Sequence, residues 1–194
     1  ASPLEIRTEG GSYGYARLGI CTGGVKDDVD YFVTASKYHT DSFRDNAQQS
    51  ADRLTGNVGI KINEQVETRF YFGYVNNDSQ LSSRLTKAQM KDDPRQATVI
   101  PGQGINQRDI NVTRLANKTT LLFDQSKLEL GAFYSHKSLY HPIGNFGDTT
   151  GVIDQVSNDV GLTARWSRMG ELFGLKNEFV AGLVLDYHPV REHR

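Results

Sequence analysis

An all-β fold, with an antiparallel up-and-down sheet of the barrel type, is what this sequence predicts. Three observations predict it. Apolar and polar residues alternate with a period of two along most of the 194 residues, and helical periodicity is scarce. The connections between the alternating segments are short and long in turn, as in up-and-down barrels with short turns on one side and long loops on the other. No apolar run approaches the roughly 18 residues that a membrane-crossing helix needs. The richest run is FVAGLVL at 179–185.

Nine strands are expected, in order. The first two, near 3–10 and 14–25, alternate weakly and flank a tight connection at Gly10-Gly11-Ser12. The third, 29–37, sets Val29, Tyr31, Val33 and Ala35 against Asp30, Thr34 and Ser36. The fourth, 53–63, is the cleanest. Leu54, Gly56, Val58, Ile60 and Ile62 oppose Arg53, Thr55, Asn57, Lys61 and Asn63. The fifth, 66–75, sets Val66, Thr68, Phe70, Phe72 and Tyr74 against Glu67, Arg69, Tyr71 and Gly73. The sixth, 110–123, is ambiguous, because Arg114 and Lys118 fall in line with Ile110, Val112 and Leu122. In the seventh, 128–137, Leu128, Leu130, Ala132 and Tyr134 oppose Glu129, Gly131, Ser135 and Lys137. In the eighth, 159–167, Val160, Leu162, Ala164 and Trp166 oppose Asp159, Thr163, Arg165 and Ser167. The ninth, 177–187, is apolar on both faces.

Short connections are expected at 26–28, 63–65, 124–126 and about 168–176, and long ones at about 39–51, 77–109 and 139–156. A segment of about 9–11 residues crosses a bilayer at a tilt. Tyr74, Tyr134, Trp166 and Tyr187 stand near strand ends, where interfacial aromatics belong. One face should therefore meet lipid, including Val58, Ile60, Phe70, Phe72, Leu162 and Ala164. The other should carry Glu5, Arg7, Glu9, Arg17, Asp30, Arg53, Lys61, Glu67, Arg69, Glu129, Lys137, Arg165 and Glu178. In a small closed soluble barrel these charges would be buried at several kcal/mol each unless paired. On an open soluble sheet they are simply the solvent face.

Composition excludes several classes. A formal net charge of −1 lacks the basic excess of a general nucleic-acid binder. One cysteine allows no intramolecular disulfide and no cysteine-rich zinc site. No phosphate-binding glycine loop, zinc-protease motif or nucleophile elbow is present, so no enzyme and no cofactor are expected. Ser135 and His136 are adjacent on a strand and point to opposite faces, so they cannot act as nucleophile and base. His136 and His141 are expected to be separated by a turn and to hold no metal. The Asn-x-Ser/Thr triplets at Asn77, Asn111 and Asn117 read as chance, and Asp27-Asp28 and Asp92-Asp93 as solvated loop charge. The first residues, Ala1-Ser2-Pro3, carry no leader signature.

Several segments resemble a known family in the expected order. They are EIRTEGGSYGYARLG (5–19), DYFV and TDSFRDN within 30–63, VETRFYFGYVNNDSQLSSRLTKAQMKDDPRQA (66–97), LGAFYSHKSLYHPI and VSNDVGLTARW. Together they resemble the barrel of TonB-dependent outer-membrane receptors, in the iron-complex or siderophore branch. The resemblance implies a barrel of about 22 strands, plugged by an N-terminal domain. It also implies location in the bacterial outer membrane and uptake of a ferric chelate, driven by an inner-membrane energy-coupling protein. Against that pattern, the 194 residues carry no plug domain and no energy-coupling box. Nine is also an odd strand number, so residues 1–194 are expected to be the N-terminal part of the barrel alone.

Partners implied are outer-membrane lipid, the chelate, the plug and the coupling protein, with no nucleic acid. Arg44, Arg84, Lys87, Lys91, Arg95 and Arg108, with Tyr140 and His141, are the loop groups suited to an anionic chelate. Arg95 and His141 are the candidate ligand-binding residues, each beside a proline that stiffens its loop. Asp45, Asp92, Asp93 and Asp109 offset much of that charge. Two alternatives remain open at this point. One is a self-contained eight-stranded outer-membrane barrel with a structural or adhesive role, and the other is a soluble β-sandwich binding module.

Overall fold

A computed structural model describes residues 3–98, 106–143 and 151–193, with Ile143 and His193 as backbone only. The strands are β1 (Leu4–Gly10), β2 (Ala16–Lys26), β3 (Val29–Thr40), β4 (Gln49–Asn63), β5 (Val66–Ser79), β6 (Asp109–Phe123), β7 (Ser126–Ile143), β8 (Gly151–Leu172), β9 (Leu175–Tyr187) and β10 (Val190–His193). One short helix, α1 (Lys87–Asp92), lies between β5 and β6. Every pairing is antiparallel, and each strand from β1 to β8 pairs with the next.

Both β9 and β10 pair with β8 in one continuous register, since Val160 faces Tyr187 and Ser157 faces Val190. They are one line of chain interrupted at Pro189, which has no N–H to give the ladder and is tolerated on an edge strand. The ten assigned strands thus make the nine lines expected. Among the described residues the sheet stays open, because β1 and the β9–β10 line pair with nothing on their outer sides. That is neither a closed eight-stranded barrel nor a sandwich of two sheets.

The short connections are tighter than the alternation suggested, at 27–28, 64–65, 124–125 and 173–174. At the last, Phe173 and Gly174 both have positive φ, 55° and 75°, as a two-residue hairpin turn of matching twist requires. On the opposite rim the strands run further than expected. β7 has 18 residues and β8 has 22, about twice what a bilayer crossing needs. His136 and His141 consequently lie on one unbroken strand, with no turn between them, and on opposite faces of it. The first hairpin is looser than expected, with residues 11–15 between β1 and β2. It therefore belongs with the other connections of the long-loop rim. Parts of two expected long connections, residues 99–105 and 144–150, lie outside the described residues.

Register fixes which side chains share a face, since directly opposed residues point the same way. One row runs Tyr31, Val58, Phe70, Asn117, Ala132, Leu162, Leu185. All six residues expected to meet lipid are on this face. Phe72, Leu115, Tyr134, Val160 and Tyr187 form a row toward the long loops. Trp166 stands toward the short turns, edge-on to Phe179 with centroids 5.7 Å apart. All thirteen charges expected on the other face are there. A representative row runs Lys61, Glu67, Thr120, Glu129, Arg165. The ambiguity of β6 resolves the same way, since Arg114 and Lys118 opposite Gly73 and Arg69 join the charged face.

Almost nothing is buried. Among the described residues the only buried apolar side chain is Ala51 and the only buried polar one is Ser167. Phe70, Leu162 and Leu183 keep 53%, 55% and 57% of their surface exposed. A sheet of this size with no second layer has no apolar core to offset its conformational entropy in water. Its stability has to come from what covers its two faces and its two edges.

Polar groups on the apolar face are dealt with locally. The Asn117 amide donates to the Thr68 hydroxyl at 2.9 Å and to the Arg69 carbonyl at 3.3 Å. The Thr119 hydroxyl donates to Asn117 Oδ1 at 3.1 Å. That uses the single Thr119 hydrogen, so in the 2.9 Å Thr68–Thr119 bond it is Thr68 that donates. The three side chains close a ring in which every donor is used.

Candidate functional site

Two regions concentrate chemistry: the charged face and the long-loop rim. On the charged face Arg69 makes a two-point pair with Asp30, at 2.7 and 2.6 Å, and also donates to Asn57 Oδ1 at 2.6 Å. The pair spans β3 to β5 across Gly59 of β4, where a Cβ would collide with both partners. Next to it, Glu129 accepts from Lys118 at 2.7 Å and from Arg165 at 2.9 Å, with Lys127 at 3.4 Å. Its side chain is 14% exposed. Three cations around one carboxylate leave a local positive surplus on a face that water or polar protein must cover.

At the rim, successive loops are joined to each other by backbone hydrogen bonds. In the first loop Tyr13 and Gly14 have positive φ, 58° and 68°, and a side chain at Gly14 would strike the Asp41 carboxylate. This bend turns the Tyr13 carbonyl to accept from the Asp41 N–H at 2.8 Å and the Thr40 hydroxyl at 3.3 Å. The Tyr13 ring then meets Phe43 edge-on, centroids 5.5 Å apart at 82°.

The second loop, 41–48, is tied to the third in the same manner. The Asp45 N–H donates to the Arg95 carbonyl at 2.8 Å, and the Gln80 N–H to the Gln48 carbonyl at 2.8 Å. Arg44 fills the join. Its guanidinium donates to the carbonyls of Ser83, Ser82 and Gln96 at 2.8, 3.0 and 2.9 Å, while its Nε is buried without a hydrogen-bond partner. Within the third loop a capping box of Thr86 and Gln89 opens α1. The Gln96 amide closes its far end, donating to the Gln89 and Asp93 carbonyls.

Arg95 lies just after α1. It is exposed, and its guanidinium sits over the Phe43 ring, 5.9 Å from the centroid. Its N–H donates to Asp93 Oδ1 at 2.8 Å. His141 lies in β7, part-buried, with Nδ1 2.6 Å from the Gln107 carbonyl. A carbonyl only accepts, so Nδ1 carries the hydrogen in that contact. Arg95 and His141 do not touch each other. Arg95 lies within the connection between β5 and β6, and His141 is held at the end of that connection by Gln107. Tyr13, Phe43 and Arg44 were not among the residues expected to form a site, except Arg44 as one loop cation. The one sequence signal for them is an aromatic in each of two connections on the long-loop side.

His188, between β9 and β10, is flanked by Asp159 at 3.2 Å from Nδ1 and Asp186 at 2.5 Å from Nε2. The Asp159 bond first, then the Asp186 bond, raise its pKa above the ordinary histidine value. The two carboxylates address opposite ring nitrogens, so they do not converge on one point. Among the described residues no group of three or more metal-ligating side chains is assembled.

No family model matches the chain. Solved structures match it along nearly its whole length. The unliganded ferric citrate transporter FecA superposes with a TM-score of 0.82 at 14% identity, over 98% of this chain and 29% of that one. The closed form of the ferric-catecholate import receptor Fiu of E. coli K12 gives 0.79 at 9% identity, over 100% and 32%. FpvA of P. aeruginosa, bound to a heterologous pyoverdine with iron, gives 0.78 at 11% identity, over 95% and 27%. The chain therefore spans about a third or less of the receptors it matches. At these identities the likeness is one of fold: open nine-line wall, short turns on one rim, long loops on the other. In fold, the chain matches the barrel portion of TonB-dependent outer-membrane receptors.

Proposed function

We propose that these residues form part of the barrel wall of an outer-membrane receptor that takes up a ferric chelate. The observation that carries the reading is a wide sheet without a core, whose two faces are sorted into an apolar band and a charged surface. An apolar band covered by lipid and a charged face turned to a polar lumen is a state in which such a wall is stable. The two unpaired edges fit a wall that continues beyond this stretch, because an open edge in lipid costs several kcal/mol per unsatisfied backbone group. In this reading a plug domain in another part of the protein covers the cluster around Glu129 and the Arg69–Asp30 pair. Energy is transmitted from the inner membrane through a coupling protein. The wall supplies no catalysis.

Arg95 and His141 are proposed to serve at the outer mouth. Arg95 offers a guanidinium and His141 an imidazole whose Nδ1 is engaged by the Gln107 carbonyl. The experiment is radioiron uptake by cells that depend on the full-length protein for growth on ferric chelates. Uptake that needs both the protein and an energised inner membrane supports the reading. Uptake unaffected by its deletion, for every chelate offered, overturns it. Arg95→Ala with His141→Ala should weaken chelate binding without lowering surface expression.

A further inference from the structure

The three long-loop connections 11–15, 41–48 and 80–98 are not independent. Hydrogen bonds from the Asp41, Asp45 and Gln80 N–H groups tie each to the next, and Arg44 donates into three carbonyls of the third. A guanidinium held by neutral carbonyls alone is a fastener: its three bonds add to the backbone bonds that already join the second and third connections. The product is one body that presents a row of three exposed side chains, Tyr13, Phe43 and Arg95.

The chemistry of the row is specific. Tyr13 and Phe43 remain 48% and 42% exposed, on loops with no apolar layer behind them. Their perpendicular contact holds both rings in fixed orientation. Arg95 stacks on Phe43 and, among the described residues, makes no ion pair. Acidic neighbours nearly balance the basic ones in these loops, so the preference for an anion arises at the Arg95 fork and not from a broad field.

We propose that Tyr13, Phe43 and Arg95 form a binding row for a planar aromatic anion, with Arg44 as the residue that positions it. An arene carrying carboxylate or phenolate oxygens satisfies both halves of the row: its ring packs against the two aromatics, and its oxygens take the planar fork of the guanidinium. An aliphatic carboxylate engages Arg95 alone, and a neutral arene engages only the rings. The proposal rests on the receptor reading for its biological setting, but its chemistry is tested without transport.

The test uses the full-length protein in detergent and 1-pyrenecarboxylate, followed by fluorescence anisotropy. Citrate and 1-pyrenemethanol are competitors that each carry one half of the chemistry. Phe43→Leu and Arg95→Gln should each raise the Kd by about tenfold, and both competitors should be weak. Arg44→Gln should give a similar loss. It should also speed tryptic cleavage at Lys87 and Lys91 while leaving heat-modifiable electrophoretic mobility unchanged. If Arg44→Gln prevents assembly, the other two variants still decide. Unchanged affinity in both Phe43→Leu and Arg95→Gln, or competition by citrate as strong as by an arene carboxylate, overturns the row. Loss of the row with radioiron uptake intact sinks this proposal alone. An intact row without uptake of any chelate sinks the receptor reading alone.

Discussion

Placing a cation at the centre of the apolar band tests the assignment of the two faces most directly. Val58 is suited to it. It lies between Tyr31 and Phe70 on neighbouring strands, in the row that continues through Asn117, Ala132, Leu162 and Leu185. Arginine at a lipid-facing barrel position near the midplane costs about 2–4 kcal/mol. At 1.36 kcal/mol per tenfold, Val58→Arg should lower the folding constant by about 30- to 900-fold. The neighbouring Asn57 faces the other way but is a poor control, because its Oδ1 accepts from Arg69 at 2.6 Å and an arginine there would meet a like charge. Thr120 is the better control, on the charged face directly between Glu67 and Glu129. Thr120→Arg gains Glu67 as a neighbour, while Glu129 is already shared by Lys118, Lys127 and Arg165. Attraction and repulsion offset each other on a face open to water, so stability should shift by no more than about 1 kcal/mol. The assay is a urea titration of the full-length barrel folding into lipid bilayers, read by heat-modifiable mobility. Equal losses in the two variants, or a larger loss in Thr120→Arg, would refute the face assignment and with it the membrane reading.

Three other outcomes follow from particular contacts. Thr119→Val leaves Asn117 Oδ1 and the Thr68 hydroxyl without their ring partner and should cost about 1–3 kcal/mol. The triple change Thr68→Val, Asn117→Leu, Thr119→Val removes every partner together and should cost less, and additive losses would refute the closed ring. Gly59→Val pushes a side chain into the Arg69–Asp30 pair and should destabilise by about 1–3 kcal/mol in the same titration, whereas a neutral result would mean that the pair is free to move aside. His188 has a raised folded pKa, so its contribution is complete below its unfolded value of about 6.5 and is lost as the pH rises through the folded one. The stability difference between the wild type and His188→Gln should therefore shrink from pH 6 to pH 9, and a difference independent of pH would show that the flanking carboxylates do not act through its charge.

The faces of this wall were legible in the residues because a strand repeats every two. Once 53–63 or 159–167 is read as a strand, Val58 and Asn57, or Leu162 and Thr163, must part company. Turn-length parity was legible too, since the short connections carry turn-forming residues, such as Asp27-Asp28 and the Asn63 that precedes Glu64-Gln65. Alternation stopped being informative at the outer ends of β7 and β8. Beyond Asn158 and Lys137 apolar and polar residues are mixed on both faces, and cross-strand backbone bonds, which no side-chain pattern reports, carry the pairing up to Gly151 and Ile143. β6 was ambiguous because Arg114 and Lys118 fall in line with Ile110, Val112 and Leu122, and the register adds that Asn117 and Thr119 are polar on the apolar face. Only pairing with Thr68 across the strand shows how their donors are satisfied.

The rim was the least legible part. Arg95 and Arg44 could be named as loop cations, but nothing in one dimension joins Arg44 to Ser82, Ser83 and Gln96, or Tyr13 to Phe43. Their partners are main-chain carbonyls and a distant ring, brought into reach by the register of β2 through β5. The sequence by itself determined the strands and the sorting of their two faces, because both follow from local periodicity. Which loops meet, and therefore which side chains stand together on the long-loop rim, was decided only by the tertiary structure, since backbone groups that any residue supplies carry no sequence signature until the sheet sets their distance.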